Sequence, residues 1–176
     1  MTRSPLILVA LALSFALGGC GSRSFGNKID DQFIPSEVSD KIAKANPDLA
    51  VGSHIVVTSY NGVVLLAGQT PRSELKGMAE QAARSVQGVR KVHNELQVIQ
   101  PSSALARSND ALLTTKIKTQ MLTDNSISSS RIKVITENGI VYLLGLVSRQ
   151  EATNASNLVQ GVSGVQKIVK LFEYIN

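Results

Sequence analysis

The sequence predicts an α+β protein of two tandem αββαβ units, each a three-stranded mixed sheet packed by two helices. Three observations carry this prediction. First, the chain repeats itself. Asn61-Gly62-Val63-Val64-Leu65-Leu66-Ala67-Gly68 returns 77 residues later as Asn138-Gly139-Ile140-Val141-Tyr142-Leu143-Leu144-Gly145. Arg72 and Glu74 return as Arg149 and Glu151 at the same offset, and Val86-Gln87-Gly88-Val89 returns as Val162-Ser163-Gly164-Val165 one residue earlier. Second, helical and strand periodicities follow one another in the same order in both copies. Third, an Asn-Gly pair separates two apolar runs in each copy, a strong local signal for a two-residue β-hairpin.

The elements follow in order. A first helix is expected over residues 36–45 and again over 109–122, with Ser108 or Asn109 as N-cap and Asp110 favourable in the first turn. Strands over 54–59 and 131–136 carry apolar residues at alternating positions, Ile55 and Val57 in one and Ile132 and Val134 in the other. After each Asn-Gly turn, residues 63–67 and 140–144 are apolar throughout, as in a central strand buried on both sides or one at an edge of packing. Gly68 and Gly145 then release the chain into a loop. Second helices are expected over 73–86 and 150–162, closed by Gly88 and Gly164. Last strands are expected over 92–99 and 168–175. Such a unit buries a small core and gains from packing against its twin.

The N-terminal residues read differently. Met1-Thr2-Arg3 carries one positive charge, and Pro5 to Leu17 is an apolar run of 13 residues interrupted in polarity only by Ser14. This is the length of a signal-peptide core and too short to span a bilayer. Leu17-Gly18-Gly19-Cys20 resembles the bacterial lipobox, which implies that Cys20, the sole cysteine, is lipidated and becomes the mature N-terminus. Gly21 follows where an Asp would favour inner-membrane retention, so the expected location is the outer membrane, lipid-anchored on its periplasmic face. The resulting division is a signal peptide over 1–19, a flexible tether over 20–35, a first unit over 36–100, a linker over 101–108 and a second unit over 109–176.

Composition excludes several function classes. The mature length of 157 residues, 176 less the leader's 19, is too short for a large barrel or a two-domain dinucleotide enzyme. With no Trp, three Tyr and four Phe, the chain lacks the stacking surface of a nucleic-acid binder, so no nucleic-acid partner is expected. The net charge of +5 is mild and suits an anionic surface. A single Cys allows no internal disulfide. No phosphate-binding loop, paired metal-ligand spacing or nucleophile elbow occurs, so no cofactor, metal or catalysis is expected. His93 and Glu95 are expected to share a strand face as surface polar residues. His54 fills the slot of Arg131 and is expected on a solvated strand face.

The run Asn-Gly-Val-Val-x-Leu-x-Gly, a helix, then Val-x-Gly-Val-x-x-Val resembles the BON domain, most specifically from Ser108-Asn109-Asp110 through Thr114-Thr115-Lys116 and Thr136-Glu137-Asn138-Gly139 to Gly145. Two such domains behind a lipobox resemble the dual BON-domain outer-membrane lipoproteins. That resemblance implies a role in outer-membrane integrity, binding of anionic phospholipids such as phosphatidylglycerol and cardiolipin, and links to the machinery that assembles outer-membrane β-barrels.

The candidate lipid-binding residues lie on the helix over 109–122. Leu113, Ile117 and Met121 form its core stripe at i, i+4, i+8. Leu112, Thr115, Lys116 and Thr119 fall on another face, where an apolar residue beside a cation suits an anionic bilayer surface. Arg107, Asn109 and Lys118 extend that set, and Leu105 can share the apolar contact. The alternative is that Leu112 packs against the neighbouring unit. The resemblance points to this same helix, and there an aromatic residue can occupy the position of Leu112. From Arg107 onward, 8 basic against 5 acidic residues make the second unit the more cationic, compared with 7 against 6 over residues 37–100. The first unit's helix is expected to offer no cationic face with an exposed large apolar residue, and to pack or bind protein. A second reading of the whole chain is a protein-interaction accessory of outer-membrane protein assembly or envelope quality control.

Overall fold

A computed structural model describes residues 25–175. The expected signal peptide, the lipidated Cys20 and the start of the tether lie outside the described residues. The elements run α1 (Phe25–Ala45), α2 (Pro47–Val51), β1 (His54–Tyr60), β2 (Val63–Thr70), α3 (Ser73–Arg84), β3 (Lys91–Asn94), β4 (Gln97–Val98), α4 (Ala104–Thr123), a 3-10 turn (Ser129–Arg131), β5 (Ile132–Glu137), β6 (Ile140–Val147), α5 (Arg149–Gln160) and β7 (Lys167–Tyr174). This is the expected pair of α+β units, with short extra turns before β1 and β5.

In each unit the second strand is central. β2 pairs antiparallel with β1 and parallel with β3, and β6 pairs likewise with β5 and β7. The Asn-Gly turns have the same backbone in both units: Asn61 and Asn138 at φ 52°, Gly62 and Gly139 at φ 73°. Two consecutive residues with positive φ make the type I′ turn that matches strand twist.

The continuous apolar runs are explained by a four-layer stack of helices, sheet, sheet and helices. Val64 and Leu66 face α1 and α3, while Leu65 and Ala67 face the other sheet. Val141 and Leu143 face α4 and α5, while Tyr142 and Leu144 meet Tyr60, Leu65 and Ala67 across the seam. The central strands are therefore buried on both sides, and every residue of β2 is buried.

Several expectations need correction. α1 begins at Phe25, so Phe25 to Pro35 belongs to a helix and not to a flexible tether. Pro35 lies inside that helix; it lacks the N–H that would continue the ladder, so a local reading stops there. What holds the extra turns is tertiary packing. Ile34 is buried in the first core, and Asp31 is buried beneath the hairpin turn. α4 likewise begins earlier than expected, at Ala104, with Ser103 Oγ accepting from the Ala106 N–H. Asp110 is therefore not a first-turn residue but a buried one in the body of the helix. Gly68 and Gly145 do not start loops. They lie within β2 and β6, where a Cβ would come 2.0 Å from the His54 carbonyl oxygen or 2.3 Å from that of Arg131. Only Gly68 has positive φ, 117°, and only in the first unit is the last strand broken, at Glu95-Leu96, with Gln69 opposite Gln97 in the register begun by Val63 and Lys91. Glu95 thus falls past the end of β3, and His93 is half-buried, where burial and then Lys91 hold its imidazole below the ordinary value.

Asp31 and Asp110 play one role in two copies. Asp110 accepts from the Asn138 N–H at 2.8 Å and the Gly139 N–H at 3.0 Å. Asp31 accepts from the Asn61 and Gly62 N–H groups and from the Ser59 hydroxyl at 2.6 Å. Each carboxylate ties the helix to its hairpin through charge-assisted bonds.

The seam between the units is mostly apolar, with a polar node at each end. At one end Arg90 donates to both carboxylate oxygens of Glu173 at 2.9 Å, and Asn61 Nδ2 donates to Glu173 at 3.0 Å. At the other end the buried Gln69 donates to Glu137 at 3.5 Å and accepts from the Ser102 N–H at 3.0 Å, pinning the linker. His54 Nε2 lies 3.3 Å from Glu137 Oε2, out of line for a hydrogen bond. His54 is therefore at this node and not on a solvated face. Burial lifts the Glu137 carboxyl above its ordinary value; His54 and Gln69 pull it down, and Asp110 pushes it further up. Burial also pushes the Tyr142 phenol up to about 12, with help from Glu95 and Glu137.

Two outcomes are expected. Asp110→Ala leaves two turn amides unpaired against the protein and should cost about 2–3 kcal/mol in urea unfolding. The Asn138 and Gly139 amides should lose hydrogen-exchange protection at the same time, and Asp31→Ala should do the same at Asn61 and Gly62. Because the folded state raises the Glu137 value above 4.5, the stability it contributes is present below pH 4.5 and lost as pH rises through the folded value. Glu137→Gln should therefore raise the melting temperature by a few degrees at pH 7, with the gain vanishing by pH 4. A uniform shift across that range would show that the carboxyl's charge is not the cause.

Candidate functional site

The site is built on α4, whose buried stripe decides what is left outside. Ile117 and Met121 are fully buried, Asp110 is tied to the turn, and Leu113 packs at the edge of the same core. The opposite face is open. Leu105 is 73% exposed, Leu112 68% and Leu122 73%, and no neighbouring unit covers them. Interdomain packing of Leu112 is thereby excluded among the described residues, since the units meet sheet to sheet.

The other expected site residues divide. Asn109, Thr115, Lys116, Lys118 and Thr119 are all exposed. The Thr115 hydroxyl donates to the Ala111 carbonyl at 2.9 Å and the Thr119 hydroxyl to the Thr115 carbonyl at 3.0 Å. Their donors are thus spent on the helix backbone. Leu105, Asn109, Leu112 and Lys116 recur at spacings of three and four, so they share one face. Arg107 does not stand at the rim. It is half-buried, and its guanidinium donates to the Ser102 carbonyl, closing the linker onto the helix. Cys20 lies outside the described residues.

Along one flank of α4 runs an open groove of about 420 Å³ between Asn109, Leu112 and Lys116 on the helix, the turn at Asn138-Gly139 and the loop at Ser163-Gly164. Asp110 forms part of its wall, with its carboxylate already committed to the turn amides. Among the described residues no group of three or more His, Cys, Asp or Glu could hold a metal ion, and no helix is long and apolar enough to cross a membrane.

Two exposed residues escape a reading by pattern. Leu122 follows the core residue Met121 but lies off the Leu113-Ile117-Met121 stripe, and the pattern assigns it no role; it is exposed where α4 seats. Phe33 was expected in the tether. It is 65% exposed on α1, two residues beyond the turn-capping Asp31, just as Leu112 is two residues beyond Asp110. The first unit therefore carries an exposed large apolar residue ahead of residues 36–45, and not on a cationic face. Its surroundings are acidic, with Glu37 one turn on and Asp40 two turns on.

Comparison with known proteins bears on this arrangement. The BON domain model matches twice, over residues 30–100 and 109–176. The first match begins beside Asp31, in agreement with the longer α1. The chain is 34% identical over 194 aligned positions to the outer membrane lipoprotein DolP of Haemophilus influenzae, covering both chains completely. It is 33% identical to a 21 kDa hemolysin of Actinobacillus pleuropneumoniae, over 87% of this chain and 78% of that one. It is also 30% identical to the osmotically-inducible protein Y of Escherichia coli, over 81% of this chain and 72% of that one. Two domain matches on two structural units, together with likeness along the whole length, place this chain in the BON-domain family as a dual-domain member similar to the DolP lipoprotein.

Proposed function

We propose that this protein is a lipoprotein anchored through Cys20 in the outer membrane, on its periplasmic face, that binds anionic phospholipid through α4 and supports outer-membrane integrity. The observation that carries the reading is the exposed face of α4, where three uncovered leucines stand beside Lys116 and Lys118. Apolar side chains on one helix face with cations at its borders gain from insertion at the headgroup boundary, and each cation near an anionic surface adds about 1 kcal/mol. Phosphatidylglycerol and cardiolipin supply that surface. Leucine anchors less well at the interface than tryptophan, so several leucines take the place of one aromatic.

The corrected start of α1 sharpens the role of the anchor. Cys20 precedes Phe25 by five residues, a reach of at most about 18 Å. A lipid on Cys20 would hold the first unit close to the bilayer and raise the effective concentration of α4 at the surface. We read the chain as a binding protein and not an enzyme, as its relatives are not named for catalytic activity.

The second reading, a protein-interaction accessory of the barrel assembly machinery or of envelope quality control, is favoured by one observation. Phe33 is exposed with Glu37 and Asp40 on the turns that follow, and those carboxylates are repelled by the same anionic surface that attracts α4, so this face suits a protein partner.

The decisive measurement is sedimentation of the mature chain, carrying Cys20→Ala, with anionic and zwitterionic vesicles. Binding is expected to phosphatidylglycerol and cardiolipin vesicles, to fall steeply with salt, and to drop at least about tenfold with Leu112→Asp or Lys116→Glu. Equal binding to zwitterionic vesicles, or none to either, would remove the lipid reading. Crosslinking for a protein partner through Phe33 would then test the second.

A further inference from the structure

We propose that a second groove, on the other flank of α4, takes one acyl chain of an anionic phospholipid, with Lys118 pairing the lipid's phosphate at its mouth. This deepens the lipid reading above and rests on it. The groove lies between the C-terminal half of α4, the 3-10 turn and β5. Its volume is about 210 Å³, and it is lined by Met121, Leu122, Ile132 and Val134 with Ser129 and Ser130 at one end and Lys118 at the rim. An apolar engineered cavity of about 150 Å³ suffices to hold benzene, so this groove has room for a segment of a hydrocarbon chain.

The first unit supplies an internal comparison. It has a groove of about 270 Å³ in the same place, between α1 and β1, with Ile42, Ile55 and Val57 where the second unit has Met121, Ile132 and Val134. The fold alone therefore creates the groove. The two grooves differ on one side, where Leu49, Ala50 and Ser53 stand in place of Ser129 and Ser130, and at the mouth. Ser39 and Ala43 in the first unit stand where Lys118 and Leu122 stand in the second. The serine-to-lysine difference places a cation beside an apolar slot, and the alanine-to-leucine difference places a 73% exposed hydrophobe at its lip. An apolar slot with one cation at its opening has the chemistry of a chain-plus-phosphate ligand. An apolar peptide would gain nothing from the lysine, and an acidic peptide would gain nothing from the slot. The groove also opens on the helix whose exposed leucines face the bilayer, so a chain could enter it without leaving the surface layer.

The mature chain contains two methionines, Met78 and Met121, after removal of the leader. Met121 lines the groove, and Met78 lies on α3 of the first unit. The test is NMR of the mature chain carrying Cys20→Ala and methyl-labelled methionine, titrated with monomeric dihexanoyl phosphatidylglycerol below its micelle threshold. Met121 is expected to shift saturably and Met78 to stay fixed. Dihexanoyl phosphatidylcholine and hexanoate should each bind at least about fivefold more weakly, and glycerol phosphate should not move Met121. The double variant Lys118→Ser, Leu122→Ala gives the second groove the mouth of the first, changes only exposed residues, and should weaken the Met121 response at least about fivefold. Leu112→Asp should lose vesicle binding and keep that response. A fixed Met121 in a protein that still binds anionic vesicles would overturn the groove while leaving the α4 face intact. Loss of both would overturn the underlying reading. An unchanged response in the double variant would overturn the role of Lys118 and Leu122.

Discussion

A buried carboxylate on the first helix of each unit, holding the backbone amides of an Asn-Gly turn, is the contact on which the rest of the structure depends. Asp31 and Asp110 each accept from both turn residues, and each is almost fully buried. A hairpin turn with two residues at positive φ points its N–H groups away from its own strands, and those amides need a partner once covered. Supplying it from a helix fixes both the depth and the rotation of that helix. With Asp110 seated, Ile117 and Met121 must turn into the core, and Leu105, Leu112 and Lys116 must turn out. The exposed face of α4 is therefore a geometric consequence of one ion-dipole contact.

The second constraint is the sheet-to-sheet seam. A lone αββαβ unit would leave one face of its sheet in water, and small units are marginal in stability. Here Tyr60, Leu65 and Ala67 close on Tyr142 and Leu144, so each unit is the cover of the other. Duplication thus accounts for the doubly apolar central strands. Because the inner sheet faces are consumed by this contact, the helices form the outer layers. The ends of the seam are pinned by polar groups. Arg90 and Glu173 are half exposed and add little beyond orientation. Glu137, Gln69 and Ser102 are more enclosed and set how the linker enters α4.

The two outer helices have diverged on this common frame. α1 carries Phe33 with Glu37 and Asp40; α4 carries three leucines with Lys116 and Lys118. The grooves beneath them share three apolar wall positions and differ on one side and at the mouth. Equivalent packing with different rims is what results when one copy's surface is free to specialise, since the buried stripe is held by the core and the exposed residues are not.

The sequence by itself determined the repeat, the Asn-Gly hairpins, the succession of helices and strands along each unit, the core stripe of α4 and the family. These are carried by local periodicity and turn chemistry, which act within a few residues and so are written in neighbouring positions. It did not show that α1 runs back to Phe25, because Pro35 breaks the local ladder and only the contacts of Asp31 and Ile34 with residues far along the chain restore the helix. Nor did it show that Arg107 is spent on the linker, that His54 sits at the seam, or that Gly68 and Gly145 lie inside strands, since each depends on a carbonyl or carboxylate brought near by folding. The exposure of Leu112 was legible as a mismatch with the core stripe. That of Leu122 and Phe33 was not, because burial is set by what covers a residue, and only the seating of the helices and the meeting of the two sheets decided that.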